Sequence, residues 1–266
     1  MSQPLIPKFG GKFKLRDFDP RYCEGLDKKE AEAESIKNVQ ALVKLTDRLY
    51  CEDKRSVLLV LQGMDTSGKD GTIRHVFEGV NPQSCQIHSF KQPSLEELDH
   101  DFLWRVHREA PRKGNVGIFN RSHYEDVLIV RVHNLVPEKV WRPRYEQINA
   151  FEKILADNGT TIVKCFLHIS KEEQRERLES RIREPQKNWK FSLGDLAERK
   201  LWDNYQEAYE EAIQRCNTEH APWHIVPADR KWYRNFVVGR LLRETLERLD
   251  PQFPPPPEGL DKVVVE

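Results

Sequence analysis

The run Ser56-Val57-Leu58-Leu59-Val60-Leu61-Gln62 leads directly into Gly63-Met64-Asp65-Thr66-Ser67-Gly68-Lys69-Asp70-Gly71, an apolar strand followed by the spacing G-x-x-x-x-G-K. Glycine at positions 63 and 68 lets the backbone turn so that successive N–H groups face one concavity, and the helix that follows aims its positive end there. Thr66, Ser67, Asp70 and Gly71 complete this phosphate-binding stretch, and Lys69 supplies a mobile charge for terminal phosphates. The chemistry expected is phosphoryl transfer. Asp70 stands where a P-loop usually has Ser or Thr, whose hydroxyl helps to hold Mg²⁺. Asp65, inside the loop, and carboxylates elsewhere must then take over the metal. The bland alternative is a strand-to-helix turn carrying a surface lysine.

A second polar loop, Asn120-Arg121-Ser122-His123-Tyr124-Glu125-Asp126, closes another apolar strand and presents an acidic pair one turn into the next helix. Mg²⁺ that bridges phosphates takes one or two carboxylates and keeps waters, so Glu125 and Asp126 are candidate ligands, with Arg121 aimed at the transferred charge. Complementing a helix N-terminus is the competing role for the two acids. Further on, Ser170 with Glu173 reads as a capping box that starts a helix bearing Arg175, Arg177, Arg181 and Arg183. The loop Glu184–Phe191, with Lys187 and Lys190, and a second helix from near Asp195 complete a basic hairpin where a P-loop kinase carries its lid. Arg177 follows Glu173 by four residues and Arg183 follows Glu179, the spacing of ordinary surface pairs. Arg181 follows Arg177 instead, which makes it the better candidate for a ligand contact.

These loops need a scaffold. Five apolar segments (Val57–Leu61, Gln86–Phe90, Val116–Phe119, Ile162–Ile169 and His224–Val226) alternate with helical stretches, the pattern of βαβ units around a parallel sheet. Ligands bind such sheets at the carboxyl ends of the strands, where Gly63–Gly71, Lys91–Ser94 and Asn120–Ser122 all fall. Lys28 to Arg48 reads as a long helix whose apolar positions are Ile36, Val39, Leu42 and Val43, with Leu49 just beyond. Leu201, Trp202, Tyr205, Ala208, Tyr209, Ala212 and Ile213 form a packing stripe on a helix spanning Asp195 to Cys216. Residues 1–27 read as an extended arm, 28–250 as one domain and 251–266 as a proline-rich tail. Lysine plus arginine equals aspartate plus glutamate at 43 each, so no global basic field points to nucleic acid, and any polyanion site must be a local cluster. No apolar run reaches membrane-spanning length and Met1-Ser2-Gln3-Pro4 is not a signal peptide, so a cytoplasmic location is expected. The five cysteines are odd in number and include no C-x-x-C pair, which reads as reduced thiols and no zinc site.

Taken together, these motifs resemble the polyphosphate kinase 2 family. The residues that carry the likeness are Gly63–Gly71, Ser89-Phe90-Lys91-Gln92-Pro93-Ser94, Asn120-Arg121-Ser122 with Tyr124-Glu125-Asp126-Val127, Arg177–Phe191 with Trp189-Lys190-Phe191, and Pro227–Tyr233. The resemblance implies an α/β fold: a P-loop kinase-like, thymidylate-kinase-like three-layer sandwich with a central five-stranded parallel sheet and a helical lid at about residues 171–200. It implies inorganic polyphosphate as phosphoryl donor and ADP as acceptor, with ATP as product and Mg²⁺ or Mn²⁺ as cofactor. Asn120 before Glu125-Asp126 places the chain with members that also accept AMP. On this likeness Asp65, Lys69, Arg121, Asp126 and Arg181 are the catalytic set, and Asp65, Glu125 and Asp126 hold the metal. Lys91, Asn120, Arg121 and Glu125 meet the nucleotide beneath lid residues Arg177, Arg181, Lys187 and Lys190. A homo-oligomer is implied as well. The rivals are an ATP-dependent nucleotide or small-molecule kinase on the same scaffold, and a non-catalytic phosphate-binding regulatory module.

Overall fold

A computed structural model describes residues 6–260 and 263–265; residues 1–5 of the expected arm, Met1–Pro4 among them, and Asp261, Lys262 and Glu266 of the tail lie outside the described residues. In chain order the elements are α1 (Lys28–Glu52), β1 (Ser56–Gln62), α2 (Lys69–Val76), β2 (Cys85–Ser89), α3 (Leu95–Leu98), α4 (Trp104–Arg108) and β3 (Val116–Asn120). A 3₁₀ turn (His123–Val127) precedes α5 (Ile129–Val132), α6 (Glu138–Trp141), α7 (Arg144–Asp157) and β4 (Thr160–His168). Then come α8 (Lys171–Arg183), a second 3₁₀ stretch (Pro185–Lys190), α9 (Leu193–Lys200), α10 (Trp202–Arg215), β5 (Trp223–Pro227) and α11 (Lys231–Leu249).

The five strands form one parallel sheet in the order β2-β3-β1-β4-β5. Every residue of β1 is buried, as expected of a parallel strand covered on both faces. The two strands after β1 lie on one side of it and the last two on the other, so the loop leaving β1 opens at the point where the chain reverses direction across the sheet, the usual ligand crevice. Register sets the level of the site. Leu61 pairs with Asn120, and the Arg121 N–H donates to the Leu61 carbonyl at 3.1 Å, so the P-loop and the loop after β3 start flush with one another.

Four local readings differ from the sequence expectation. Helix α1 runs on to Glu52, and its inward face is Ala31, Ser35, Asn38, Leu42, Thr46 and Leu49, while Ile36 is 58 % exposed. Small and polar side chains face inward here because α1 lies close against α11, where the position of a Cβ on Gly239 falls 3.5 Å from the Asn38 Cβ. The stretch 193–215 is two helices broken at Leu201, not one. At Ser170 the capping box is half formed: Ser170 Oγ accepts from the Glu173 N–H, but the Glu173 carboxylate is taken by Arg177, and Asp229 receives the Ser170 N–H instead. Residues 7–27 form a strap tied down by polar contacts, with Phe13 and Leu15 in the core. Asn217 donates to the Pro7 carbonyl, the Leu15 N–H donates to Glu210 and His168 bonds to the Phe18 carbonyl. Among the described residues no helix is long and apolar enough to cross a membrane.

Candidate active site

The loop after β1 wraps as its glycines dictate. Gly63 has φ 152°, and a Cβ there would sit 2.7 Å from the Leu167 carbonyl oxygen. Gly68 has φ 97°, and its missing Cβ leaves room for the Arg234 guanidinium, with which a Cβ would overlap. Thr66 and Arg121 also hold positive φ, 67° and 63°, a strain that non-glycine residues keep where the surroundings over-determine the backbone, as at ligand clamps.

Two buried arginines brace the loop from behind. Arg177 of α8 donates to the carbonyls of Thr66 and Ser67 and to those of Ala228 and Asp229, while its Nε holds Glu173 at 2.7 Å. Arg234 of α11 donates to the Ser67 carbonyl at 3.2 Å. With these carbonyls turned back into the protein, the N–H side of the loop faces the cleft. Burial, and then the neighbouring Arg177, push the Arg234 pKa down to about 9.

In front of the loop is a cleft of about 610 Å³ that opens between α2, the end of β3 and the lid hairpin. Its walls carry nine basic and three acidic side chains, with Phe90 the one aromatic ring among the lining residues. Lys69 Nζ lies back on the loop, donating to the Gly63 carbonyl at 2.9 Å. Burial lowers its pKa, partly offset by Asp65. Asp65 accepts from Arg121 at 3.1 Å. Burial acts to lower the Arg121 pKa, but Glu125 and Asp65 outweigh it and the net direction is up. Burial raises Glu125 against the opposing pull of Arg121 and Lys69. Asp70, at the position of the usual hydroxyl, accepts from Asn120 Nδ2 at 2.6 Å, which ties the P-loop helix to the end of β3.

The sequence-derived set is therefore mostly, but not wholly, brought together. Asp65, Thr66, Gly68, Lys69, Asp70, Gly71, Lys91, Asn120 and Arg121 line the cleft with Arg181, Lys187 and Lys190, whereas Gly63 and Glu125 line a smaller adjoining cavity. Asp126 lines neither cavity. Its carboxylate accepts from Arg144 at 3.1 Å, and burial raises its pKa to about 6 despite Arg144. The metal and catalytic roles expected of Asp126 thus meet a side chain turned toward α7. Arg177, read as one of a surface pair, is a buried clamp, while Arg181 does find an acid, Asp195, across the hairpin at 3.0 Å. Sequence reasoning passed over Lys231 and Arg234 as site residues; a basic i, i+3 pair in the first turn of the helix after the last strand was the available signal.

Among the described residues no group of three or more His, Cys, Asp or Glu side chains is placed to hold a metal ion on its own. A phosphate-bridging Mg²⁺ does not need one, because substrate oxygens and waters complete its shell. Asp65 and Glu125, both beside Arg121, supply hard oxygens, and the buried Thr66 and Ser67 hydroxyls have no protein partner. That donor set fits the ion.

The family model for polyphosphate kinase 2 matches residues 25–254. An AMP/ADP-polyphosphate phosphotransferase of Meiothermus ruber is 54% identical over 259 residues, covering 96% of this chain and 97% of that protein. An ADP-polyphosphate phosphotransferase of Rhodopseudomonas palustris is 49% identical over 228 residues, 81% of this chain and 79% of its own. The crystal structure of a polyphosphate kinase 2 from Arthrobacter aurescens superposes with a TM-score of 0.94 at 42% identity, covering 98% of this chain and 93% of that one.

Proposed function

Because the chain belongs to the polyphosphate kinase 2 family, we propose that it transfers the terminal phosphoryl group of inorganic polyphosphate to ADP and to AMP. An oxygen of the acceptor's terminal phosphate attacks the end phosphorus of the chain. The bridging P–O bond breaks, and the shortened polyphosphate leaves with the electron pair, so ADP becomes ATP and AMP becomes ADP. The observation that carries this reading is the cleft over the P-loop, rich in lysine and arginine and holding a single aromatic ring. A repeating anion needs charge along its length, whereas ATP as donor calls for an apolar slot for adenine.

The roles follow from position. Lys69, once drawn off the Gly63 carbonyl by a phosphate, neutralises the transferring group together with the loop N–H groups. Arg121 releases Asp65 and takes the acceptor phosphate, an exchange made easy by the exposure of the pair, 42 % and 32 % for the two side chains. Asp65 and Glu125 would hold Mg²⁺, or Mn²⁺, which would supply positive charge to the phosphates. Asn120 keeps Asp70 occupied, so that this carboxylate is hydrogen-bonded as the phosphates arrive. Arg181, Lys187 and Lys190 close from the lid and exclude water. The reading takes residues 28–250 as one catalytic unit, in a cytoplasmic homo-oligomer, and five free cysteines accord with a reducing compartment.

The test is an ATP-free assay with Mg²⁺ and long-chain polyphosphate, supplying AMP and ADP in parallel and separating products by chromatography. ADP and then ATP should form from AMP. Product from ATP as donor, with none from polyphosphate, would move the chain to the ATP-dependent kinases.

A further inference from the structure

Lys164 interrupts the apolar run of β4 and is wholly buried, paired at 2.6 Å with an equally buried Glu152 of α7. No step described above uses either residue. We propose that Glu152 and Lys164, through Tyr124 and His123, are positioning residues for phosphoryl transfer: they fix the loop after β3 and so set where Arg121 and Glu125 stand. The proposal rests on the phosphotransferase reading above and names what holds two of its site residues in place.

All three ammonium protons of Lys164 have acceptors: Glu152 Oε2, the Tyr124 hydroxyl at 2.8 Å and the Cys216 carbonyl at 2.7 Å. Glu152 Oε1 accepts from the Tyr124 hydroxyl at 2.9 Å and contacts His123 Nε2 at 3.1 Å. One network thereby joins β4, α7, the residue after α10 and the 3₁₀ turn after β3. Burial acts to raise the Glu152 pKa, but Lys164 and His123 outweigh it and the net direction is down, so the pair is ionised.

Stability alone gives no reason for such a pair. Desolvation removes much of the Coulombic gain of buried charges, and well-packed apolar residues of similar volume often serve a fold as well. What apolar residues cannot do is fix a hydroxyl and an imidazole on two consecutive residues. Those two, His123 and Tyr124, stand between Arg121, at φ 63°, and Glu125. A 3₁₀ stretch of five residues has poor hydrogen-bond geometry of its own, so anchors outside it decide where its side chains point. Ser122 adds another anchor, its Oγ accepting from Gln62 Nε2 at 3.1 Å and from the Tyr124 N–H at 3.2 Å. The three residues between the two site side chains are thus all buried and held from the core, while Arg121 and Glu125 line the open spaces in front. A buried network with its members paired in this way is rigid.

The experiment compares the wild type with two variants. The double variant Glu152→Leu/Lys164→Met replaces the pair by apolar residues of comparable volume. Tyr124→Phe leaves the pair closed but removes the hydroxyl that joins it to the turn. Melting temperature, initial rates, and calorimetric binding of ADP with Mg²⁺ and of long-chain polyphosphate are measured on each. In the double variant kcat/KM for ADP should fall about a hundredfold, the scale of a misplacement of about 1 Å. ADP should bind it about tenfold more weakly, the loss of one charge-assisted hydrogen bond, with Tm and polyphosphate binding close to wild type. Tyr124→Phe should move both quantities the same way, with kcat/KM down about tenfold. A double variant with wild-type kcat/KM and ADP affinity, or one weakened equally toward ADP and polyphosphate, would overturn the assignment. If the double variant does not fold, Tyr124→Phe decides, and values equal to wild type sink the proposal. A wild type that transfers nothing from polyphosphate would remove the functional reading instead, and ADP binding by the same variants then decides the positioning role.

Discussion

Lys231 offers a direct measure of whether the basic cleft carries the donor. It sits in the first turn of α11, on the cleft wall with Arg177, Lys187 and Arg234 as charged neighbours, and its pKa is lowered by burial and then by those three cations. A polyanion bound there relieves the mutual repulsion. Each phosphate charge that protein cations neutralise releases counterions, which lowers log K by about 0.7 per charge for each unit of log salt on a single-stranded polyanion. The cleft's nine basic side chains exceed its three acidic ones by six, so the limiting slope for long-chain polyphosphate is about 4. Lys231→Ala should reduce that slope by about 0.7 and weaken binding most at low salt. Lys153→Ala is the control, since Lys153 lies on α7, outside the cleft and paired with Asp157 at 2.8 Å. The assay is titration of polyphosphate onto the enzyme at several KCl concentrations. A Lys231→Ala slope equal to that of wild type and control would take Lys231 off the donor's path. A wild-type slope near zero would refute the cleft itself as the place where polyphosphate binds.

Two further outcomes separate structural from functional residues. Arg177→Met strands several buried carbonyls and the Glu173 carboxylate, and should cost about 3–5 kcal/mol, a fall in Tm of roughly 10 °C. Arg181→Met removes a partly exposed pair with Asp195 and should leave Tm almost unchanged while lowering kcat; scanning fluorimetry and initial rates on the two variants would expose a reversed order. For Asp126 the folded pKa of about 6 exceeds the ordinary 3.8, so the folded state holds this proton more tightly. Its contribution to stability is fully present below pH 3.8 and is lost as pH rises through about 6. Asp126→Asn should flatten the pH dependence of urea-unfolding free energy between those limits, and parallel profiles for the two proteins would contradict the assignment.

What could be read from the sequence was mainly what is local. The strand Ser56–Gln62, the glycine spacing and Lys69 are contiguous, so backbone geometry carries them into one loop. Parallel topology then brings Asn120 and Arg121 to the same edge, because an apolar run ending in polar residues has its carboxyl end where the P-loop has its own. Side-chain direction was harder to read. Glu125 and Asp126 are neighbours in sequence, but they fall in a 3₁₀ turn with three residues per revolution, which points successive side chains about 120° apart. Glu125 lines the small cavity together with Arg121, while Asp126 accepts from Arg144. An acidic pair in the sequence thus sends its two carboxylates to different surroundings.

Arg177 shows the opposite error and its cause. The i, i+4 spacing to Glu173 is real, and the pair forms at 2.7 Å. Spacing fixes which residues share a helix face, but not what that face meets. Here it meets the carbonyls of Thr66, Ser67, Ala228 and Asp229, supplied by two loops 110 and 51 residues away along the chain. Buried carbonyls need donors, and a guanidinium offers several in one plane, so the arginine that looked paired at the surface is the one the fold cannot expose. The same demand explains Arg234: turning the loop N–H groups toward phosphate turns the opposite carbonyls inward, and some distant donor must answer them. A P-loop read from sequence therefore predicts a buried cation behind it as well as a mobile one in front. The first-turn basic pair Lys231 and Arg234 divides that labour, with Arg234 against the loop and Lys231 on the cleft wall.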